Sequence, residues 1–256
     1  MNPLETILKD PTNVEMILGT ISLVLGVILV IYYFYAKSLE TEIWAVTEYN
    51  LTDLRRMCSG DFDAVVAVEG NVSCDQPLTA PSSKYPCIWH HTRVDTEHRN
   101  SKGQSYWQKG YEVTVSVPFK LSDEKNWVTV DPTDSDIDRV EAVNEITEFR
   151  DDWFGGMIPA SETGRYRVVE EVFRPEGRAY ILGQATCVGA GPEPEATIHY
   201  PKHGYINPKR KFFIISRKTR DELEAESVSN VKICLVVAVF AFVVTAFCGL
   251  MLLHVF

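Results

Sequence analysis

The sequence has no CxxC pair, no GxGxxG, no GxxxxGKS/T, no HExxH and no GxSxG. Those gaps remove the short motifs of dithiol redox centres, dinucleotide folds, phosphate loops, zinc proteases and α/β-hydrolase nucleophile elbows. A basic excess is missing too: 25 Lys and Arg stand against 35 Asp and Glu, for a formal net charge of −10. Such a balance offers no broad attraction to phosphate, so no nucleic-acid partner is expected. There is no fixed-period repeat and no low-complexity tract.

What is present begins with two long apolar runs, 16–36 and 233–256. The first carries no charge and, at about 1.5 Å per residue, reaches about 32 Å, enough for a hydrocarbon core of about 30 Å. The second holds no ionisable side chain except Cys234, Cys248 and His254. Both are expected to be transmembrane α-helices. A cleaved leader is disfavoured because the preceding tail is acidic (Glu5, Asp10, Glu15 against Lys9) and no small-residue cleavage pattern follows. Tyr32, Tyr33 and Tyr35 suit an interfacial aromatic belt.

Lys37, Arg55, Arg56, Arg217, Lys218, Arg220 and Lys232 all fall on the inner side of the two runs, facing only Lys9 outside. The expected placement is an integral membrane protein with two spans and a cytoplasmic middle domain, in a prokaryotic plasma membrane rather than a mitochondrial one. The lipid bilayer and an unidentified protein are its expected partners. The partition expected is a tail at 1–15, a span at 16–36, a connecting segment at 37–63, a β-rich domain at 64–218, a juxtamembrane helix at 219–232 and a second span at 233–256.

The middle domain reads as strands. "AVVAVEGNV" (64–72) is β-branched and ends on a turn signal, and "YEVTVSV" (111–117) alternates apolar with polar residues. "NWVTVD", "YRVVEEVF" and "RAYILGQATCVG" repeat the theme, with "RPEG" as a tight turn. "DSDIDRVEAVNEITEF" (134–149) fits one acidic amphipathic helix or irregular strand and loop. Thr219 followed by Glu222 resembles a capping box opening a helix that continues into the second run. The fold expected is mainly β, a bent sheet or small barrel with one or two helices, plus the two transmembrane helices.

"YPCIWHH" (85–91) gathers a thiol and two imidazoles. On a regular strand Cys87, Trp89 and His91 share one face while Ile88 and His90 share the other. Cys87 and His91 then stand about 13 Å apart, too far to grip one metal ion. No metal site and no cofactor is expected. A nucleophilic role for Cys87 needs a base brought in by the fold, from His98, His199 or His203. The alternative is a packed thiol beside Trp89, which leaves no catalytic group, with Cys87 the lone candidate. Cys58, Cys74, Cys87 and Cys187 allow three disulfide pairings, although an unpaired buried thiol is the commoner case. Asn50 and Asn71 open glycosylation sequons.

Two further stretches are chemically suggestive. "DPTDSDID" (131–138) is carboxylate-rich but lacks the Gly and distal Glu of a calcium loop. "DDWFGG" (151–156) reads as an exposed aromatic turn or as a buried Trp153.

The order of "VEGNV", "PLTAPSSKYPCIWHHTRV", "WVTVD", "VVEEVFRPEGRAYILGQA" and "FFIISRKTRDELEAE" resembles the GIDE-type, or beside-a-membrane, domain of the MULAN ubiquitin ligase family. The resemblance spans most of 64–256. It implies turns or close backbone contacts at Gly70, Pro81, Gly177 and Gly183, and a packing role for Cys87. Ligating relatives continue into a zinc-holding RING, whereas Phe256 closes this sequence. A non-catalytic interaction module is therefore expected, with two alternatives: from the resemblance, a conjugation component whose RING is supplied elsewhere or lost, and from the residues themselves, a thiol hydrolase or transferase using Cys87.

Overall fold

The computed structural model describes residues 11–58, 62–148, 158, 161, 163–188, 195–200 and 213–255. His203 and the "DDWFGG" stretch lie outside the described residues. The chain divides into two compact units, Val46–Thr219 and a second made of residues up to Ala45 with those from Arg220 onward.

In chain order the first elements are helix α1 (Pro11–Trp44), strand β1 (Glu48–Tyr49) and helix α2 (Leu51–Met57). Strands β2 (Asp63–Ser73), β3 (Leu78–Thr79), β4 (Pro86–Cys87), β5 (Trp89–Arg99) and β6 (Ser105–Ser116) follow. Then come β7 (Phe119–Ser122), β8 (Trp127–Val130), β9 (Asp136–Ile137) and β10 (Val140–Glu148). Last are β11 (Arg165–Phe173), β12 (Arg178–Val188), β13 (Glu195–His199), β14 (Ile214–Ser216) and helix α3 (Arg220–Val255).

Five strands close on themselves in the order β2, β7, β8, β13, β12 and back to β2. Only the β8–β13 contact is parallel, and the other four are antiparallel. Inward residues Val66, Val68, Leu121, Val128, Val130, Ile181 and Ile198 are wholly buried, each contributing about 1.5–3 kcal/mol of transfer free energy. Closure leaves no room at Gly183, where an added Cβ would sit 2.7 Å from Phe213 Cδ2 and 2.9 Å from Ile198 Cγ2. Five-stranded barrels, the OB-folds among them, serve many unrelated ligands, so the architecture assigns no function.

The short helix α2 starts where Asn50 accepts a hydrogen bond from the Asp53 amide at 2.7 Å. It buries Leu51 and Leu54 in the barrel core and ends at Cys58, which is disulfide-bonded to Cys187 at the end of β12. None of the three full pairings of the four middle-domain cysteines forms: this is a single bridge, with Cys74 and Cys87 free. Asn50 and Asn71 are both exposed.

A second, four-stranded antiparallel sheet runs β10, β11, β5, β6. The described part of the acidic stretch, 134–148, thus forms β9 and β10 rather than a helix, because pairing with β14 and β11 satisfies its backbone. The turn from β11 to β12 needs the positive φ of Gly177 (86°). Arg217 braces this turn, donating to the carbonyls of Arg174 and Arg178 and lying 3.9 Å over the Phe173 ring.

In the other unit α1 packs on α3. Ser22 Oγ donates to the Ala241 carbonyl at 2.7 Å, Gly26 faces the Phe242 ring, and Arg220 donates to the Trp44 carbonyl at 2.7 Å. Apolar residues also point away from the contact, leaving Ile31, Phe34, Val236 and Phe240 exposed. Helix α3 runs unbroken from Arg220, with Asp221 and Glu222 in its first turn.

Among the described residues no helix is long and apolar enough to cross a membrane. The expectation of two transmembrane helices is therefore not met. The two-span membrane placement derived from it, with a cytoplasmic side for the middle domain, falls with it.

Candidate functional site

The backbone breaks step at Ile88, between β4 and β5. Cys87 pairs with Leu78 of β3, while from Trp89 onward the chain pairs with β11 and β6. Cys87, Ile88, Trp89 and His90 are consecutively buried, which a regular pleat does not allow when one face is wet. Cys87 packs with Ala80 and Val172, whereas Ile88 and Trp89 enter the main core. The expected shared face of Cys87 and Trp89 is lost at that irregularity. Beyond it alternation resumes: Trp89 stacks on His91 at 6.3 Å, and His90 Nδ1 meets Thr92 Oγ1 at 3.2 Å.

Behind this segment lies a carboxylate that the sequence reading missed. Glu170 of β11 is fully buried, and its two oxygens accept from the Ser82 amide (2.8 Å), the Ser83 amide (2.7 Å) and the Thr92 hydroxyl (3.1 Å). The signal was legible, since Tyr166, Val168, Glu170 and Val172 occupy alternate, buried positions of one strand. A charged residue on an apolar period-two face must find partners, and here the 80–85 turn supplies them.

This environment suppresses thiol chemistry. Burial pushes the Cys87 pKa up to about 11, the Glu170 charge adds to the rise, and a backbone hydrogen bond at Ala80 partly offsets it. The sulfur lies 3.8 Å from the Leu78 carbonyl. A thiol so placed is protonated at neutral pH and a poor nucleophile. His90 is held below the usual histidine range, chiefly by burial, with the neighbouring His91 adding to that and Glu170 opposing it.

The other sequence candidates are not gathered around Cys87. His98 sits at the far end of β5, bonded to Thr96 Oγ1 at 2.9 Å. His199 belongs to the barrel, its ring nitrogens occupied by Thr186 Oγ1 and the Tyr200 carbonyl. Among the described residues no cluster of three or more His, Cys, Asp or Glu side chains could hold a metal ion. In the acidic stretch 131–138 two carboxylates are engaged: Asp131 accepts from Thr133, and Asp138 accepts from Ser216 and the Arg217 amide. It borders an open cavity of about 410 Å³ with His199 and Tyr200. A second cavity of about 410 Å³ adjoins Cys74 and the Lys120–Asp75 ion pair.

The remaining site is an edge. Strand β10 is terminal in its sheet, paired with β11 on one side only among the described residues. It exposes Val140, Glu141, Asn144, Glu145, Ile146 and Glu148.

One family model, GIDE, described as E3 ubiquitin ligase, matches residues 90–251. The chain belongs to the GIDE family. The GIDE match takes in Glu170, β10 and Gly177 and begins after Cys87, so that thiol lies outside the matched region. Comparison with curated proteins finds no match, and comparison with solved structures finds none either.

Proposed function

We propose that this GIDE family member is a non-catalytic protein-interaction module. The observation that carries the reading is the nine-residue edge of β10, which among the described residues has no strand beside it and so holds backbone donors and acceptors ready for another chain. The buried, protonated Cys87 supports the same reading, since the chain's one candidate nucleophile is chemically quiet.

The family description favours a second reading, in which the module serves ubiquitin-like conjugation by recruiting substrate while another chain supplies the RING. The two are separated by a discharge assay in which a ubiquitin-charged conjugating enzyme is mixed with the purified full chain and free lysine. An interaction module leaves the discharge rate unchanged and yields a discrete photo-crosslinked partner from probes placed at Ile146. Acceleration by the chain alone, with or without added zinc, would overturn the non-catalytic reading.

A further inference from the structure

Among the described residues the four-stranded sheet has two long edges with no further strand beside them, β6 and β10, and they are not equivalent. In β6 the pairing with β5 slips between Val94 and Asp95, leaving Gly110 as an extra residue in mid-strand. Beside that bulge Lys109 pairs with Glu112 on the same strand. A central bulge and an edge lysine are both devices that stop a strand from taking a new neighbour. In β10 the slip falls between Glu141 and Val143, near the start. From Val143 to Glu148 the register is unbroken, about 20 Å of regular edge at about 3.3 Å per residue.

The charge on that regular stretch is of one sign. Glu145 and Glu148 are exposed on opposite faces, and β10 holds no Lys or Arg. Glu141 is already engaged by the Asn144 side chain at 2.9 Å. Ile146, exposed on the Glu148 face, adds an apolar contact. A second copy of β10 laid alongside would bring carboxylates against carboxylates, so self-pairing is disfavoured.

We infer that residues 143–148 of β10 take up an extended, lysine- or arginine-bearing segment of a partner protein as an added strand. This rests on the interaction-module reading and names the partner chemistry of its edge. Main-chain hydrogen bonds provide the grip, and cations alternating toward Glu145 and Glu148 provide selection.

The test uses the purified full chain and three labelled nonapeptides: one carrying lysines three residues apart among Val and Thr, so that they fall on opposite faces, its Glu counterpart, and the Lys peptide with an N-methylated backbone. The expected result is binding of the Lys peptide alone, with slowed amide exchange in 143–148 and none in 105–116. The Glu145→Lys, Glu148→Lys double variant, changed only at exposed positions, should bind it at least tenfold more weakly at low salt. The N-methylated peptide checks backbone pairing without altering the protein. Binding of all three peptides alike, equal binding by the double variant, or slowed exchange elsewhere would overturn the inference. A native partner crosslinked equally by wild type and double variant would leave the module reading standing while removing this edge from it. Loss of all crosslinked partners in the wild type would instead sink the module reading.

Discussion

The Glu170 carboxylate takes the Ser83 amide at 2.7 Å, tying the middle of the second sheet to the 80–85 turn. The second carboxylate oxygen holds the Ser82 amide and the Thr92 hydroxyl, so three donors depend on one buried charge. Replacing Glu170 with Gln keeps the shape but removes the charge and one acceptor. The expected loss is about 1.5–3 kcal/mol, read by urea denaturation, with faster amide exchange at Ser82 and Ser83. Unchanged exchange at those amides would contradict the tie.

The Cys58–Cys187 bridge closes a loop with a sequence separation of 129. Opening a loop of that size costs about 3–5 kcal/mol in the chain-entropy account. The Cys58→Ser, Cys187→Ser double variant should therefore lose about that much stability, and reductant should lower the wild-type melting temperature while leaving the variant unaffected.

Little of this pairing was legible in the sequence, because neither cysteine sits in a spaced motif and only closure of the barrel brings them together. The strands themselves were readable wherever one face is wet, as in the alternation of Tyr111, Val113 and Val115. Stretch 134–149 was ambiguous because Val140, Val143 and Ile146 fit helical spacing, and partnership with β11 decides the outcome. The step at Ile88 was invisible, since it arises from the carbonyl of Phe173 accepting the Ile88 amide across the barrel-to-sheet junction. The apolar runs 16–36 and 233–256 signalled helices, and α1 and α3 lie there.

Cys87 should resist alkylation in the native protein at neutral pH, while half-buried Cys74 reacts first. Mass spectrometry after a short iodoacetamide pulse reads this directly. Selective early labelling of Cys87 would restore it as a reactive thiol.

Cys87 and His90 pull stability in opposite pH ranges. The Cys87 thiol is raised from 9.0 to about 11, so the folded protein keeps a proton that the unfolded chain has lost. Stability from this source is complete below about pH 9 and declines by on the order of 2 kcal/mol as pH rises to about 11. His90 is lowered, so the unfolded chain binds its proton first as pH falls below about 6.5, and stability drops on that side. Cys87→Ala should flatten the alkaline arm, and His90→Gln the acid arm, in denaturation curves taken across pH.

Gly183→Ala places a methyl group against Phe213 and Ile198 at distances no real Cβ tolerates. The barrel should lose about 1–3 kcal/mol, visible as a lower urea midpoint with an unchanged slope.

The second sheet is assembled from two separate excursions of the barrel chain. β5 and β6 leave between the first and second barrel strands, and β10 and β11 leave between the third and fourth. Neither excursion holds a complete sheet, and a cut after β8 strips two strands from each assembly. No single cut therefore frees either assembly whole, and the second sheet exists only in a chain that has made both excursions.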